Sequence, residues 1–299
     1  MWKARFNHIW SNANHLLLCP DARPDKLFWK LSCSAIDKQT ALWKQQDSME
    51  KLIDVSDADT QFGPVLLEVN GTTCIAYSTT SDLMYGHQEY SLVYWKLSSD
   101  EKPFDEMRSL FATGSSWGTI YVFDSRLRNK PKYQYQPHTG YVAKLAMNTE
   151  YILSASEDKT VSVWDQRAGR TMKSITIPDE ATPTCMSMRR DNWVCVGDTK
   201  AKLHMLNPKN NFELVKSYST EHTDSIRGVR LTHGCRITSS KGGIVRISSP
   251  TDPPKLIATL RTGYGNINSM DYLNDTLAIV SGQSLGVWRP KSTCLTKHH

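Results

Sequence analysis

The sequence has 299 residues, with 36 Lys and Arg against 30 Asp and Glu, a formal net charge of +6. No apolar run approaches the roughly 18 residues that a membrane helix needs, and Met1-Trp2-Lys3-Ala4-Arg5 has no apolar secretory core. Seven cysteines, an odd number without a Cys-x-x-Cys pair, argue against a disulfide framework and against a zinc site, and favour a reducing compartment, cytoplasm or nucleus.

In chain order, residues 1–13 admit two readings. Trp2, Phe6, Ile9 and Trp10 are spaced i, i+4, i+7, i+8, one face of an amphipathic helix. Alternatively, Ala4–Trp10 forms a strand that completes a sheet elsewhere, a role that Arg289–His299 is also placed to fill, although Pro290 makes a poor start to it. Leu27–Ser34 and Thr40–Trp43 are expected as strands flanking Asp37. Asp54-Val55-Ser56-Asp57-Ala58-Asp59 begins like a calcium loop but lacks the Gly and the distal Glu in register, and reads as a solvated loop. Ser91–Leu97 is expected as the outer strand of a sheet, with Gly86-His87 at the end of its third strand or in the following loop.

The clearest stretch is His138–Asp165. Val142–Met147, Tyr151–Ser156 and Thr160–Trp164 read as three short strands, the last two joined by a Glu157-Asp158-Lys159 turn. Thr160-Val161-Ser162-Val163-Trp164 alternates with the period of two expected of a strand with one buried face. Ala112–Asp124 is a near copy, with Phe123 for the closing Trp and Trp117 in the turn. Further paired runs are Trp193–Asp198 with Lys202–Asn207, Arg236–Ser240 with Ile244–Ser248, and Leu277–Ser281 with Ser284–Trp288.

These units recur. Steps of about 41 residues from Trp164 reach Phe123-Asp124, a point near Leu83, and Trp43-Lys44 going back, then Leu206-Asn207, Ser248-Ser249 and Trp288-Arg289 going forward. His138 precedes Trp164 by 26 residues, as His222 precedes Ser248, while His15 precedes Trp43 by 28. Elsewhere the His position is Glu180 or Thr262.

A unit opened by His, carrying Ser on its second strand and Asp in its turn, and closed by Trp-Asp resembles the WD repeat, the four-stranded blade of a β-propeller. The resemblance implies an all-β fold, a WD-repeat β-propeller over residues 14–299 with seven blades from the seven marks, six as the alternative, and residues 1–13 as a separate N-terminal segment. WKARFNHIW at Trp2–Trp10 is similar to the final helix of an F-box, which precedes the propeller in F-box/WD-repeat proteins, so the chain also resembles such a protein lacking its F-box.

Two chemistries compete for the central unit. His138, a Ser at 154 or 156 and Asp158 offer the types of a hydrolytic triad. No Gly-x-Ser-x-Gly elbow accompanies them, nor does the chain hold an HExxH, a Walker loop or a dinucleotide fingerprint. In WD repeats the same set braces the blade, Trp164 indole to Ser154 or Ser156, Ser to His138, His138 to Asp158. That reading leaves no catalytic set, cofactor, metal or small-molecule substrate, and proteins as the partners.

Beyond the third strands, Trp164-Asp165-Gln166-Arg167 and Phe123-Asp124-Ser125-Arg126 share an aromatic-Asp-x-Arg pattern. The first resembles the box of DWD proteins, WD-repeat substrate receptors that dock on an adaptor of cullin ubiquitin ligases. A guanidinium just past a rigid strand suits a bidentate pair with a partner carboxylate. The other expectation is that Arg167 pairs with its neighbour Asp165. Arg126, Arg128, Lys130 and Lys132, then Arg167, Arg170 and Lys173, are placed in loops after the third strands, a basic rim that could meet nucleic acid or an acidic peptide. No aromatic residues alternate with those charges, so a solvated loop cluster competes. The function expected is a non-enzymatic protein-binding scaffold, a substrate-recognition subunit of a cullin-type ubiquitin ligase, with an RNA-associated or nucleic-acid-associated factor as the alternative.

Overall fold

The structure is a computed structural model that describes residues 15–16, 26–44, 49–54, 65–68, 72–77, 83–88, 91–96, 110–124, 130–189, 191–263, 265–273, 275–281 and 284–289. The chain divides into two units, Ala58–Ser219, and Met1–Asp57 with Thr220–His299. Both contain sheets of short antiparallel strands, most of them paired with their neighbours in sequence.

In Ala58–Ser219, the central sheet is Val142–Met147, Tyr151–Ser156, Thr160–Asp165 and Arg170–Thr176, each strand paired with the next. The following sheet repeats the plan with Pro183–Met188, Val194–Asp198, Lys202–Asn207 and Glu213–Ser219. The preceding one places Thr72–Tyr77 beside Leu110–Ser115, then Ile120–Asp124 and Tyr133–Tyr135. A three-stranded sheet holds Val65–Glu68, Ser91–Lys96 and Leu83–Gln88 in that order. Here the sequence reading needs correction. Ser91–Lys96 is central, with a partner on each side, not an outer strand, and Gly86-His87 lies inside its hairpin partner.

The alternation Thr160–Trp164 predicts one buried face; both faces are buried. Val161 and Val163 join Leu153, Val194, Val196 and Phe212 in one apolar cluster. Trp164 joins Ile120, Val122, Val142 and Ile152 in another. Adjacent residues Ile152 and Leu153 thus serve two different cores, because this sheet is covered on both sides by neighbouring sheets.

In the second unit, Ile226–Leu231, Arg236–Ser240, Ile244–Ser248 and Leu256–Arg261 form one four-stranded sheet. Ser269–Leu273, Thr276–Ser281 and Ser284–Arg289 form the next, and its fourth strand comes from far upstream. Met49–Asp54 pairs with Ser284–Arg289, Glu50 opposite Trp288. Neither Ala4–Trp10 nor Arg289–His299 supplies that edge. Residues 1–13 and 290–299 lie outside the described residues, as do 55–59 of the calcium-loop-like run.

The first repeat mark is also corrected. Leu27–Ser34 and Thr40–Trp43 are not strands but parts of one α-helix, α1, Lys26–Lys44. Among its described side chains, 33–44, the buried ones are Cys33, Ile36, Gln39 and Trp43, a spacing of three and four that belongs to a helix and not to a strand. Trp43 falls on the 41-residue ruler without belonging to a repeat, and His15 pairs with Asp252 in a two-residue bridge. The described residues hold five four-stranded sheets and one three-stranded sheet.

A polar hub fixes α1 to its unit. Gln39 Oε1 accepts from Trp43 Nε1 at 3.0 Å and Tyr272 Oη at 3.0 Å, and Gln39 Nε2 donates to Asp275 Oδ1 at 2.7 Å. Lys38 Nζ donates to the other oxygen of Asp275 at 2.6 Å. Backbones meet closely too, since a β-carbon at Gly234 would lie 2.5 Å from Ala35 O. Trp43 itself packs into the apolar cluster of both sheets, with Ile237, Ile247, Leu277 and Trp288. Trp43→Ala is therefore expected to lower the unfolding free energy by about 3–5 kcal/mol in urea titrations. Lys44→Ala, at an exposed position of the same turn, is expected to stay within about 0.5 kcal/mol. Equal effects of the two would show that α1 is not docked.

Candidate functional site

The turn between Tyr151–Ser156 and Thr160–Asp165 gathers the residues singled out in the sequence. Lys159, not Asp158, takes the left-handed conformation there, with φ 69°. Asp158 contributes its carboxylate instead. Oδ1 accepts from Thr160 N at 3.0 Å and Thr160 Oγ1 at 2.7 Å, and Oδ2 accepts from Thr139 N at 3.1 Å. His138 Nδ1 lies 3.0 Å from the same Oδ2, and its Nε2 lies 2.8 Å from Ser154 Oγ.

Burial lowers the pKa of His138, outweighing the attraction of Asp158, so the ring is neutral at pH 7. Burial raises the Asp158 carboxyl, but the Thr160 hydroxyl and the other donors outweigh it and hold the group below the usual carboxylate range. The consistent tautomer carries its proton on Nδ1, donating to Asp158, and accepts from Ser154 at Nε2.

Ser154, His138 and Asp158 thus have the connectivity of a nucleophile, base and acid. Burial decides against that use. Ser154 is 1% exposed and His138 2%, and Ser154 sits in mid-strand opposite Ser162, where no substrate carbonyl can approach its hydroxyl. Trp164 stands apart from the network. Its indole N–H has no hydrogen-bond partner, and its ring stacks on Tyr135 at a centroid distance of 3.8 Å. The pairing of its strand with Arg170–Thr176 shifts register between Val163 and Trp164. Thr160 joins the network instead, at its other end, with Oγ1 donating to Asp158 Oδ1 at 2.7 Å and lying 3.0 Å from His138 Nδ1, and an Asp-x-Thr after the second strand was the signal available for it. Ser156 serves the turn, donating to Gly140 O at 3.2 Å and accepting from Asp158 N at 3.2 Å.

The next sheet reaches the same pairing from other positions. Glu180 stands where a His opens other units, yet His204 on the third strand places Nε2 3.0 Å from Asp198 Oδ2 and Nδ1 2.8 Å from Ser217 Oγ. His204 lies opposite Val196, as Ser162 lies opposite Ser154, and both His204 and Asp198 are fully buried. Sequence reasoning missed His204; the signal was a lone imidazole inside the apolar run Lys202–Asn207. In the 226–261 sheet, Gly242 occupies the Asp position. His222 Nε2 meets Thr238 Oγ1 at 2.9 Å, and its Nδ1 has no partner.

Past the third strand, Asp165 Oδ1 accepts from Arg167 N at 2.8 Å and Ala168 N at 2.9 Å. The carboxylate is committed to the turn backbone, so Arg167 is not held as the ion-pair partner of its neighbour. It is exposed, on a turn fixed by Asp165 and by Gln166 N donating to Glu150 O at 2.9 Å. Asp124 is buried, and Arg126 and Arg128 lie outside the described residues.

The basic rim is only in part a set of loops, with Arg167 in the turn after Thr160–Asp165. Lys130 and Lys132 precede the outer strand Tyr133–Tyr135, whereas Arg170 and Lys173 lie on the outer strand Arg170–Thr176. Lys173 approaches Glu213 at 3.8 Å, and Lys132 Nζ stands 5.4 Å from the Tyr133 ring centroid. Partners of this kind reduce the free positive charge that a phosphate backbone needs.

The buried imidazoles make stability depend on pH. Burial, and then the Arg246 cation, lower the pKa of His222 from 6.5 to about 4. An unfolded chain takes up a proton near 6.5 that the folded chain refuses until about 4. Stability is therefore expected to fall as pH drops through that window. His222→Gln is expected to flatten the decline in urea midpoints between pH 7 and 5; an unchanged slope would remove His222 as its source.

Residues 129–165 match the family "WD domain, G-beta repeat". The match begins before Tyr133–Tyr135, the outer strand of one sheet, and ends on the third strand of the next. F-box/WD repeat-containing protein 9 of Bos taurus is 27% identical over 219 residues, 68% of this chain and 47% of the relative, and the Homo sapiens protein matches to the same extent. Echinoderm microtubule-associated protein-like elp-1 of Caenorhabditis elegans is 26% identical over 59% of this chain and 20% of its own length. The chain spans about half the length of the first two relatives. Among solved structures, a chain of the Mitotic Checkpoint Complex superposes with a TM-score of 0.54 at 16% identity, covering 60% of each chain. The computationally designed Ika8 protein gives 0.55 at 13% identity, covering 73% of this chain and 70% of its own. Residues 129–165 thus carry a WD repeat, and the described residues form an all-β fold of four-stranded antiparallel sheets with propeller-like structural neighbours.

Proposed function

We propose that this WD-repeat scaffold is a substrate-recognition subunit of a cullin-type ubiquitin ligase. The observation that carries the reading is the similarity to F-box/WD repeat-containing protein 9 over 68% of the chain. Two routes to the ligase are consistent with it. One runs through an F-box-like helix in residues 1–13. The other runs through Arg167, whose turn is fixed by Asp165 while the side chain stays exposed. An exposed guanidinium on a turn already held by its own hydrogen bonds loses little backbone freedom when it engages a partner carboxylate.

A nucleic-acid role draws less support, because Lys173 is shared with Glu213 and Arg170 and Lys173 lie along an outer strand. Among the described residues no helix is long and apolar enough to cross a membrane.

Affinity purification of the chain tagged at its own locus tests the proposal. The wild-type chain is expected to bring down a cullin adaptor, and Arg167→Ala to reduce that recovery at least tenfold. An adaptor that survives Arg167→Ala but not deletion of residues 1–13 assigns docking to the N-terminal segment. Recovery of no adaptor by the wild-type chain would overturn the ligase reading.

A further inference from the structure

Trp117 is the feature that neither the fold nor the ligase reading uses. It occupies the position of Asp158 in the turn of the 110–135 sheet and is 75% exposed, the most exposed of the large apolar side chains among the described residues. Its turn is nonetheless fixed. Ser115 Oγ accepts from Thr119 N at 3.1 Å, and Gln136 Nε2 donates to Trp117 O at 3.0 Å. Gly118, at φ 79°, lets the turn press on the next loop, where a β-carbon would lie 2.2 Å from His138 O. A tryptophan held open to water on a rigid turn loses apolar contact that a partner can restore.

The surface continues through backbone contacts. Loop 138–140, against which the Trp117 turn lies, leads to Tyr141, 38% exposed, and Tyr141 O accepts from Glu157 N at 2.9 Å. Glu157 is exposed beside Asp158. The charge of this strip is negative although the chain as a whole is +6. Asp158 is satisfied by neutral donors, the backbone and hydroxyl of Thr160, Thr139 N and the neutral ring of His138. The adjacent cation, Lys159, is turned to Glu180 at 3.2 Å. Two aromatic rings and two carboxylates, with no Lys or Arg paired to those carboxylates among the described residues, suit a guanidinium, which stacks on an indole face and pairs bidentately with a carboxylate.

We infer that the Trp117–Tyr141–Glu157 strip binds an arginine-bearing segment of a partner protein. This rests on the partner-binding reading of the chain and not on adaptor docking through Arg167. The test uses the full chain and three fluorescein-labelled peptides identical except for arginine, lysine or glutamate at three positions, followed by anisotropy. The arginine peptide is expected to bind at least tenfold more tightly than the glutamate peptide, and to weaken as salt is raised. Trp117→Ala is expected to weaken it at least tenfold, Trp117→Phe to restore part of the loss, and Glu157→Lys to abolish binding. Unfolding midpoints of the three variants should match the wild type, since both side chains are exposed. Lysine binding equal to arginine, indifference to Trp117→Ala, or no arginine-peptide binding would each overturn the inference. Arg167→Ala separates the two proposals: it should leave peptide binding unchanged, so a chain that binds the peptide but captures no adaptor loses only the ligase reading.

Discussion

Burial of the sheets on both faces is the constraint on which the rest depends. In the 142–176 sheet, Val161 and Val163 face one apolar cluster while Trp164 faces another. A strand in that position has no solvent side to which a polar group can escape. A polar group it carries costs about 1–3 kcal/mol unless it is answered within the protein, a cost that Ser162 Oγ and Trp164 Nε1 carry. The carboxylate, imidazole and hydroxyl sets at the turns are the response to that demand.

Two adjacent sheets meet it differently. One draws His138 from the loop before the first strand onto Asp158 in the turn. The other draws His204 from the third strand onto Asp198 at the end of the second. What is kept is an imidazole between a carboxylate and a hydroxyl, Ser154 in one case and Ser217 in the other. This explains how repeats can lose the opening His and remain ordered. The pairing needs a buried imidazole within reach of a carboxylate, and several backbone positions deliver one. The same burial that makes these sets effective braces removes them from chemistry on a substrate. The residues proposed to meet partners, Arg167 and Trp117, lie instead on turns past strand ends, where hydrogen bonds fix the backbone and the side chains meet water.

The N-terminal part of the chain is tied to the 226–289 region by two unlike devices. Met49–Asp54 adds a strand to the last sheet through backbone hydrogen bonds, which cover the edge of Ser284–Arg289. The α1 helix docks through Trp43 and through Gln39, whose amide oxygen receives both an indole N–H and a phenol. An amide group serves there because it accepts and donates at once, passing the Tyr272 and Trp43 donors on to Asp275.

The sequence by itself determined the paired second and third strands within residues 110–289, because those strands are short and several of them carry apolar residues at every second position. Arg236–Ser240 and Ile244–Ser248 were legible to the residue for that reason. Tertiary structure decided what periodicity leaves open. Trp43 matched the repeat spacing but belongs to a helix, since a single tryptophan has no period and only Cys33, Ile36 and Gln39 facing the same core settle it. His138, Ser154 and Asp158 have the same types and connectivity whether they cut a bond or brace a sheet. The difference is access to solvent, a property of the neighbouring sheets that no local run of residues encodes. The edge strand of the last sheet, likewise, was fixed by which distant segment could lie beside Ser284–Arg289, a choice made by packing and not by the residues of the edge alone.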